Sequence, residues 1–216
     1  PTRNLRGSPP WICAHKQAYL VIMRKSISIF LTFVMLGLGT VSAKAADFTY
    51  RFPVADCTVK YARTHHDYPA TDILAKKGCS FVAPIDGVVE DVNFKDIWSS
   101  KRNKGKYRGG LSVSIIGIDG VRYYGSHLIS IADGIMPGVN VLAGDLLGKV
   151  GATGSARGTS PHLHFGISWP TKAGDWKIRR GALYPWRYLD SWKEGENLSP
   201  VKSVLKKQKA NRLQIK

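Results

Sequence analysis

Acidic residues are scarce in this chain: 15 Asp and Glu stand against 32 Lys and Arg, a formal net charge of +17 over 216 residues. A surplus of that size calls for an anionic partner, for which nucleic acid, anionic lipid and anionic cell-wall polymer all qualify. Cysteine is almost absent as well. Three residues exclude a disulfide-dense scaffold, and the lack of any C-x-x-C pair argues against a cysteine zinc site. Beyond Val41 no apolar run is long enough to cross a bilayer, and no amphipathic helical period of useful length occurs before the C-terminal tail. No internal repeat is present. Hydrophobic residues nonetheless make up 44% of the chain, enough for a packed core and too many for a disordered one.

Residues 1–45 carry six basic residues and no acidic one. Within them Arg24 and Lys25 follow Met23, an apolar stretch runs from Ile27 to Val41, and Ala43-Lys44-Ala45 forms a small-x-small site. This is the pattern of a secretory signal peptide over 23–45, with 1–22 as an upstream extension of no structural role. Fifteen apolar residues fall short of the roughly 20 that span a bilayer, so cleavage and export are expected rather than a stable membrane anchor. The product would be periplasmic or extracellular. From residue 46 onward the balance is 26 basic to 15 acidic, or +11. In an oxidising compartment Cys57 and Cys79 are expected to form a disulfide.

The remainder has the punctuation of short strands. Val88–Val92 follows an Asp86-Gly87 turn, and Leu111–Ile115 alternates apolar and polar residues with period two. Asp119-Gly120 then separates that run from Val121-Arg122-Tyr123-Tyr124, a strong hairpin signal because both turn residues tolerate positive φ. Val141–Val150 is a further strand–turn–strand candidate. The expected architecture is mainly antiparallel β, a domain over 46–200 followed by a basic tail over 201–216. A second basic segment, Lys101–Arg108, forms a glycine-containing loop. Trp169, Trp176, Trp186 and Trp192 are expected to serve packing.

The histidines carry the chemistry. In Ser-Pro-His162-Leu163-His164-Phe165, residues two apart project from one face of a strand, so both imidazoles can address one point while Leu163 and Phe165 face a core. A second cluster is Thr64-His65-His66-Asp67-Tyr68-Pro69-Ala70-Thr71-Asp72. Imidazole and carboxylate are the ligand types of hydrolytic zinc sites, which use three protein ligands and leave one position open. One histidine of this cluster, Asp72 and one histidine of the H-x-H pair would meet that count, leaving His127 and the other H-x-H histidine free for acid–base work.

The order His…Asp…His…H-x-H resembles the M23 metallopeptidase family, the LytM- and lysostaphin-type cell-wall endopeptidases, from about Tyr61 to Ile167. The segments Tyr-Gly-Ser-His-Leu, Gly-Asp-Leu-Leu-Gly-Lys-Val-Gly-Ala-Thr-Gly and Ser-Pro-His-Leu-His-Phe-Gly-Ile carry the likeness. It implies a LytM-like fold, the duplicated hybrid motif, with a metal cleft and one Zn2+ ion. By the same resemblance His164 and Asp72 are ligands, and His127 and His162 are catalytic. Zinc would activate a water whose proton His162 takes, and His127 would stabilise the oxyanion. The family's first histidine commonly stands four residues before the aspartate, a place held here by Tyr68, so a short insertion brings His66 or His65 to the metal; of the two, His66 is the expected ligand. The implied substrate is peptide stems or cross-links of bacterial peptidoglycan, with anionic wall polymer a further partner through the Lys101–Arg108 loop. The rival is a non-catalytic wall-binding protein or amidase activator on the same fold, which this chain disfavours by keeping every implied residue. Gly151–Gly158 lacks the Gly-Lys-Ser/Thr ending of a P-loop and reads as a tight turn beside the cleft. Nucleic acid is not an expected partner, because it explains neither the export signal nor the histidines.

Overall fold

The computed structural model describes residues 48–214. The signal peptide and upstream extension expected over 1–45 lie outside the described residues. Ten strands follow one another: β1 (Val54–Ala55), β2 (Lys60–Tyr61), β3 (Thr71–Leu74), β4 (Ser80–Val82), β5 (Gly87–Asn93), β6 (Leu111–Gly117), β7 (Arg122–Ile131), β8 (Asn140–Val141), β9 (Leu146–Val150) and β10 (His162–Ser168). Three helices end the chain: α1 (Trp176–Arg179), α2 (Trp186–Lys193) and α3 (Val201–Gln214). Among the described residues no helix is long and apolar enough to cross a membrane.

All pairings are antiparallel, along a path β1-β4-β9-β7-β10-β3-β2, with β6 joined to β7, β5 to β6 and β8 to β5. The expected hairpin is present: β6 and β7 flank Asp119-Gly120, and Gly120 takes φ +74°. Val141–Val150 does contain β8 and β9, yet these do not pair with each other. β8 adds to β5, while β9 lies between β4 and β7. Turn residues locate a chain reversal; they do not choose the partner that buries each strand.

Strand β7 organises the site. On one side β6 follows it as far as Leu128; on the other, β10 pairs with Arg122–Ser126 and β9 takes over from Leu128 to Ile131. The switch of partners falls at His127. Leu163 and Phe165 are fully buried, as the H-x-H parity requires, and join Phe81, Tyr123 and Ile73 in the core. Cys57 and Cys79 are disulfide-bonded, closing β1 and its following loop onto β4.

The helix α2 departs from the expected absence of helix before the tail. Eight residues starting after Pro185 bury Tyr188, Leu189 and Trp192, positions i, i+1 and i+4 that make one apolar stripe. Two turns are too short for a period to stand out in sequence. Trp192 stacks on Tyr50 with ring centroids 5.0 Å apart and meets Phe165 edge-on at 6.4 Å, so this tryptophan does serve packing. The basic tail is helical as α3, held by buried Val204 with its lysines exposed.

Candidate active site

The register of three strands assembles the histidine cluster. His164 on β10 pairs directly with Asp72 on β3 and with Ser126 on β7. Its Nδ1 lies 2.9 Å from Oδ1 of Asp72. Its Nε2 lies 3.0 Å from the main-chain oxygen of Arg180. A carbonyl can only accept, so Nε2 carries a proton, and Nδ1 is the nitrogen turned towards the carboxylate. That close approach of the Arg180 carbonyl depends on Gly166. A Cβ at this position would stand 2.4 Å from the same oxygen, so glycine lets residues 180–181 lie directly on β10.

His65 completes the buried part of the cluster. Its side chain is only 5% exposed, with Nε2 3.7 Å from Oδ2 of Asp72, and its ring is 5.2 Å from that of His164. His66 is 77% exposed and rests 3.7 Å from the Asp67 carboxylate. Ligand atoms of His65, His66 and Asp72 nevertheless lie within 4.8 Å of one another, so either histidine is within reach of the carboxylate. The structure thus brings Asp72 and His164 together and makes His65, rather than the expected His66, the histidine packed against both.

These residues suit a divalent cation. Nδ1 of His164 and Oδ1 of Asp72 face each other at 2.9 Å, a distance at which the two share either a proton, as a hydrogen bond, or a metal ion. Nδ1 of His65 is buried without a hydrogen-bond partner, a donor set left open beside the same carboxylate. Burial works to raise the Asp72 carboxyl, but the His164 hydrogen bond and the charges of His164, His162 and His65 outweigh it, holding the group ionised well below the usual carboxylate range. Burial pushes His65 down to about 4, with His164 adding to the effect. A neutral imidazole and an ionised carboxylate are the protonation states that bind metal.

The two remaining histidines stand side by side, ring centroids 4.9 Å apart. His162 is bound through Nδ1 to the Ser160 oxygen at 2.8 Å, and His127 through Nδ1 to the Thr153 oxygen at 2.8 Å. Each acceptor is a main-chain carbonyl, so each Nδ1 donates, which leaves Nε2 as the ring nitrogen for proton exchange. His127 is a bulge residue: Leu111 pairs with Leu128 and Ser112 with Ser126, leaving it unmatched with φ +66°. Regular alternation would send Ser126 and His127 to opposite faces; the bulge re-aims the imidazole, so both line the cleft. Burial pushes its pKa down to about 3, with His164 and His162 contributing.

All six residues line one open cleft of about 1180 Å3. The Gly151–Gly158 segment borders it, as expected of a tight turn, and supplies the Thr153 carbonyl that fixes His127. The Lys101–Arg108 loop borders it too. Sequence reasoning did not assign Tyr68 to the site, although its hydroxyl is 3.4 Å from Nε2 of His164, and it passed over a buried network within the cleft wall. There Arg122 donates to Glu90, to Ser114 Oγ at 2.8 Å and to the Arg179 carbonyl, while Arg179 pairs with Glu90 at 2.9 Å. The only sequence signal for that network was polar residues at Glu90, Ser114 and Arg122 within strands.

An antiparallel sheet that gathers five histidines and an aspartate in one cleft defines a class of candidate hydrolytic site. The chain belongs to peptidase family M23, whose family model matches residues 66–176, more than half of the sequence. An L-Ala–D-Glu endopeptidase of Bacillus subtilis is 30% identical over 156 residues, covering 69% of this chain. This chain spans 42% of that relative's length. Among solved structures, the candidate glycyl-glycine endopeptidase LytM of Ruminococcus gnavus is 25% identical with a TM-score of 0.50, over 69% of this chain and 62% of that one. The antimicrobial peptidase lysostaphin of Staphylococcus simulans shares the fold, at 23% identity and TM-score 0.51 over 73% and 60% of the two chains.

Proposed function

We propose that this protein is a zinc-dependent endopeptidase that hydrolyses peptide stems or cross-links of bacterial peptidoglycan. The observation that carries this reading is the facing pair of Nδ1 of His164 and Oδ1 of Asp72 at 2.9 Å, in the same cleft as the His127–His162 pair. Membership of family M23 and the endopeptidase relative support it. Asp72, His164 and His65 would hold the ion; His66 is the alternative to His65. Zinc bound there would act as a Lewis acid, lowering the pKa of a water towards ~7 and polarising the scissile carbonyl.

The chain's own groups supply the proton transfers. His162, oriented by the Ser160 carbonyl, accepts the proton of the attacking water at Nε2 and returns it to the leaving amine. His127 stands beside it with the same tautomer. It can donate from Nε2 to the developing oxyanion only after it has taken up a proton, and negative charge on the substrate oxygen favours that uptake. Export to the periplasm or the cell exterior, with residues 23–45 as signal peptide, agrees with this substrate. The non-catalytic alternative would leave the paired imidazoles without a task.

His162 is the half-exposed member and no metal ligand in this scheme. Replacing it with Ala should lower turnover of purified peptidoglycan by about 10²–10⁴-fold, while zinc measured by atomic absorption stays near one per chain. Full turnover in that variant would refute the assignment, and zinc-free wild-type protein of normal activity would refute the metal.

A further inference from the structure

Four arginines line the cleft: Arg108 on the basic loop, whose Nε donates to Asn103 Oδ1 at 3.0 Å, and Arg122, Arg179 and Arg180 on the wall beyond it. Two are neutralised. Arg122 pairs with Glu90, and Arg179 pairs with Glu90 at 2.9 Å and with Asp91 at 3.5 Å. Arg180 differs. Among the described residues no carboxylate pairs with it, and its Nε is buried without a hydrogen-bond partner. Its guanidinium carbon sits 3.5 Å from the centroid of the Tyr68 ring and 5.1 Å from that of Trp176. Aromatic faces fix the plane of a guanidinium but satisfy none of its in-plane donors. A guanidinium cannot shed its charge, so a partly withdrawn one with open donors calls for an anion from outside the chain.

The position of this cation relates it to the reacting centre. Tyr68, against which it stacks, brings its hydroxyl to 3.4 Å from Nε2 of His164. The main-chain oxygen of Arg180 itself lies 3.0 Å from that nitrogen. An anion on the guanidinium would therefore lie about one side chain from the ligand cluster. Arg179, tethered on three sides, holds the neighbouring backbone in place.

We propose that Arg180 is a specificity residue that binds a carboxylate of the substrate next to the scissile amide. The cleft then selects acidic peptides over neutral ones such as glycine bridges. The assignment rests on the peptidase reading of this cleft and names the substrate class within it. A carboxylate meets the guanidinium fork with two parallel hydrogen bonds, which the corresponding carboxamide cannot reproduce.

The test uses two uncleavable peptide analogues, identical except that the residue beside the scissile position bears a free carboxylate in one and a carboxamide in the other. Their binding to the zinc-loaded full chain is measured by calorimetry. The wild type should bind the carboxylate form at least about tenfold more tightly. Arg180→Gln should bring the ratio near one, and Arg180→Lys should keep part of it, since a point charge remains without the fork. Equal binding of the two peptides by wild type, or one and the same preference in all three proteins, would overturn the proposal. Cleavable versions assayed in parallel address the peptidase reading separately: a binding preference without hydrolysis leaves Arg180 assigned and removes the activity.

Discussion

His65 and His66 are neighbours in sequence with opposite surroundings. The family match begins at His66, yet His65 is the one packed against Asp72 and His164, and its Nδ1 lacks a partner. The tie in the sequence was physical: two adjacent imidazoles in an irregular segment carry no periodicity to say which turns inwards. The H-x-H pair had no such ambiguity, because strand alternation fixes the common face of His162 and His164. If the geometry is decisive, His65→Ala will lose most of its bound zinc and its turnover, whereas His66→Ala will keep near-stoichiometric zinc. Metal content after dialysis against a weak chelator separates the two, and the reverse result would transfer the ligand role to His66.

At the scale of elements, the site depends on a bulge and a turn that meet. Period two along β7 would set His127 opposite Ser126, and nothing in Tyr-Gly-Ser-His-Leu announces the extra residue that changes this. The bulge falls where β7 exchanges β10 for β9, a long-range event invisible in local sequence. Its imidazole is then held by Thr153, whose Oγ1 also donates to the Leu128 carbonyl at 2.8 Å and accepts from the Leu111 amide at 3.0 Å. Gly154 lets the turn sit this close: it takes φ +63°, and a Cβ there would stand 2.0 Å from the Arg108 oxygen. Gly154→Ala should therefore cost about 1–3 kcal/mol of stability from the backbone conformation alone, with a further fall in turnover as Thr153 and His127 shift. Thermal unfolding and peptide hydrolysis check this; a variant matching wild type in both would show that the turn yields without disturbing His127.

Over the whole molecule, the scarcity of acidic residues takes on a location. Lys101, Arg102, Lys104 and Lys106 are exposed on one loop at the cleft, and Lys202, Lys206, Lys207 and Lys209 are exposed on α3. The charge was legible from composition, but its division between a loop beside the histidine cleft and a separate helix required the fold. Charges on long exposed side chains contribute little to stability; concentrated on one loop they create a field that attracts a polyanion, and that attraction is screened by salt. The loop at the cleft is the patch that would hold an anionic wall polymer where its attached peptides can be cut. Replacing Lys101, Arg102, Lys104 and Lys106 with Gln should reduce retention on wall fragments bearing anionic polymer several-fold at low ionic strength. The difference should vanish near 1 M salt, where the Debye length is about 3 Å, and on fragments stripped of that polymer. The same replacement of the four α3 lysines should have the smaller effect on wall hydrolysis, because that helix does not border the cleft. Retention that is insensitive to salt and to the loop charges would leave the basic loop as solvated surface alone.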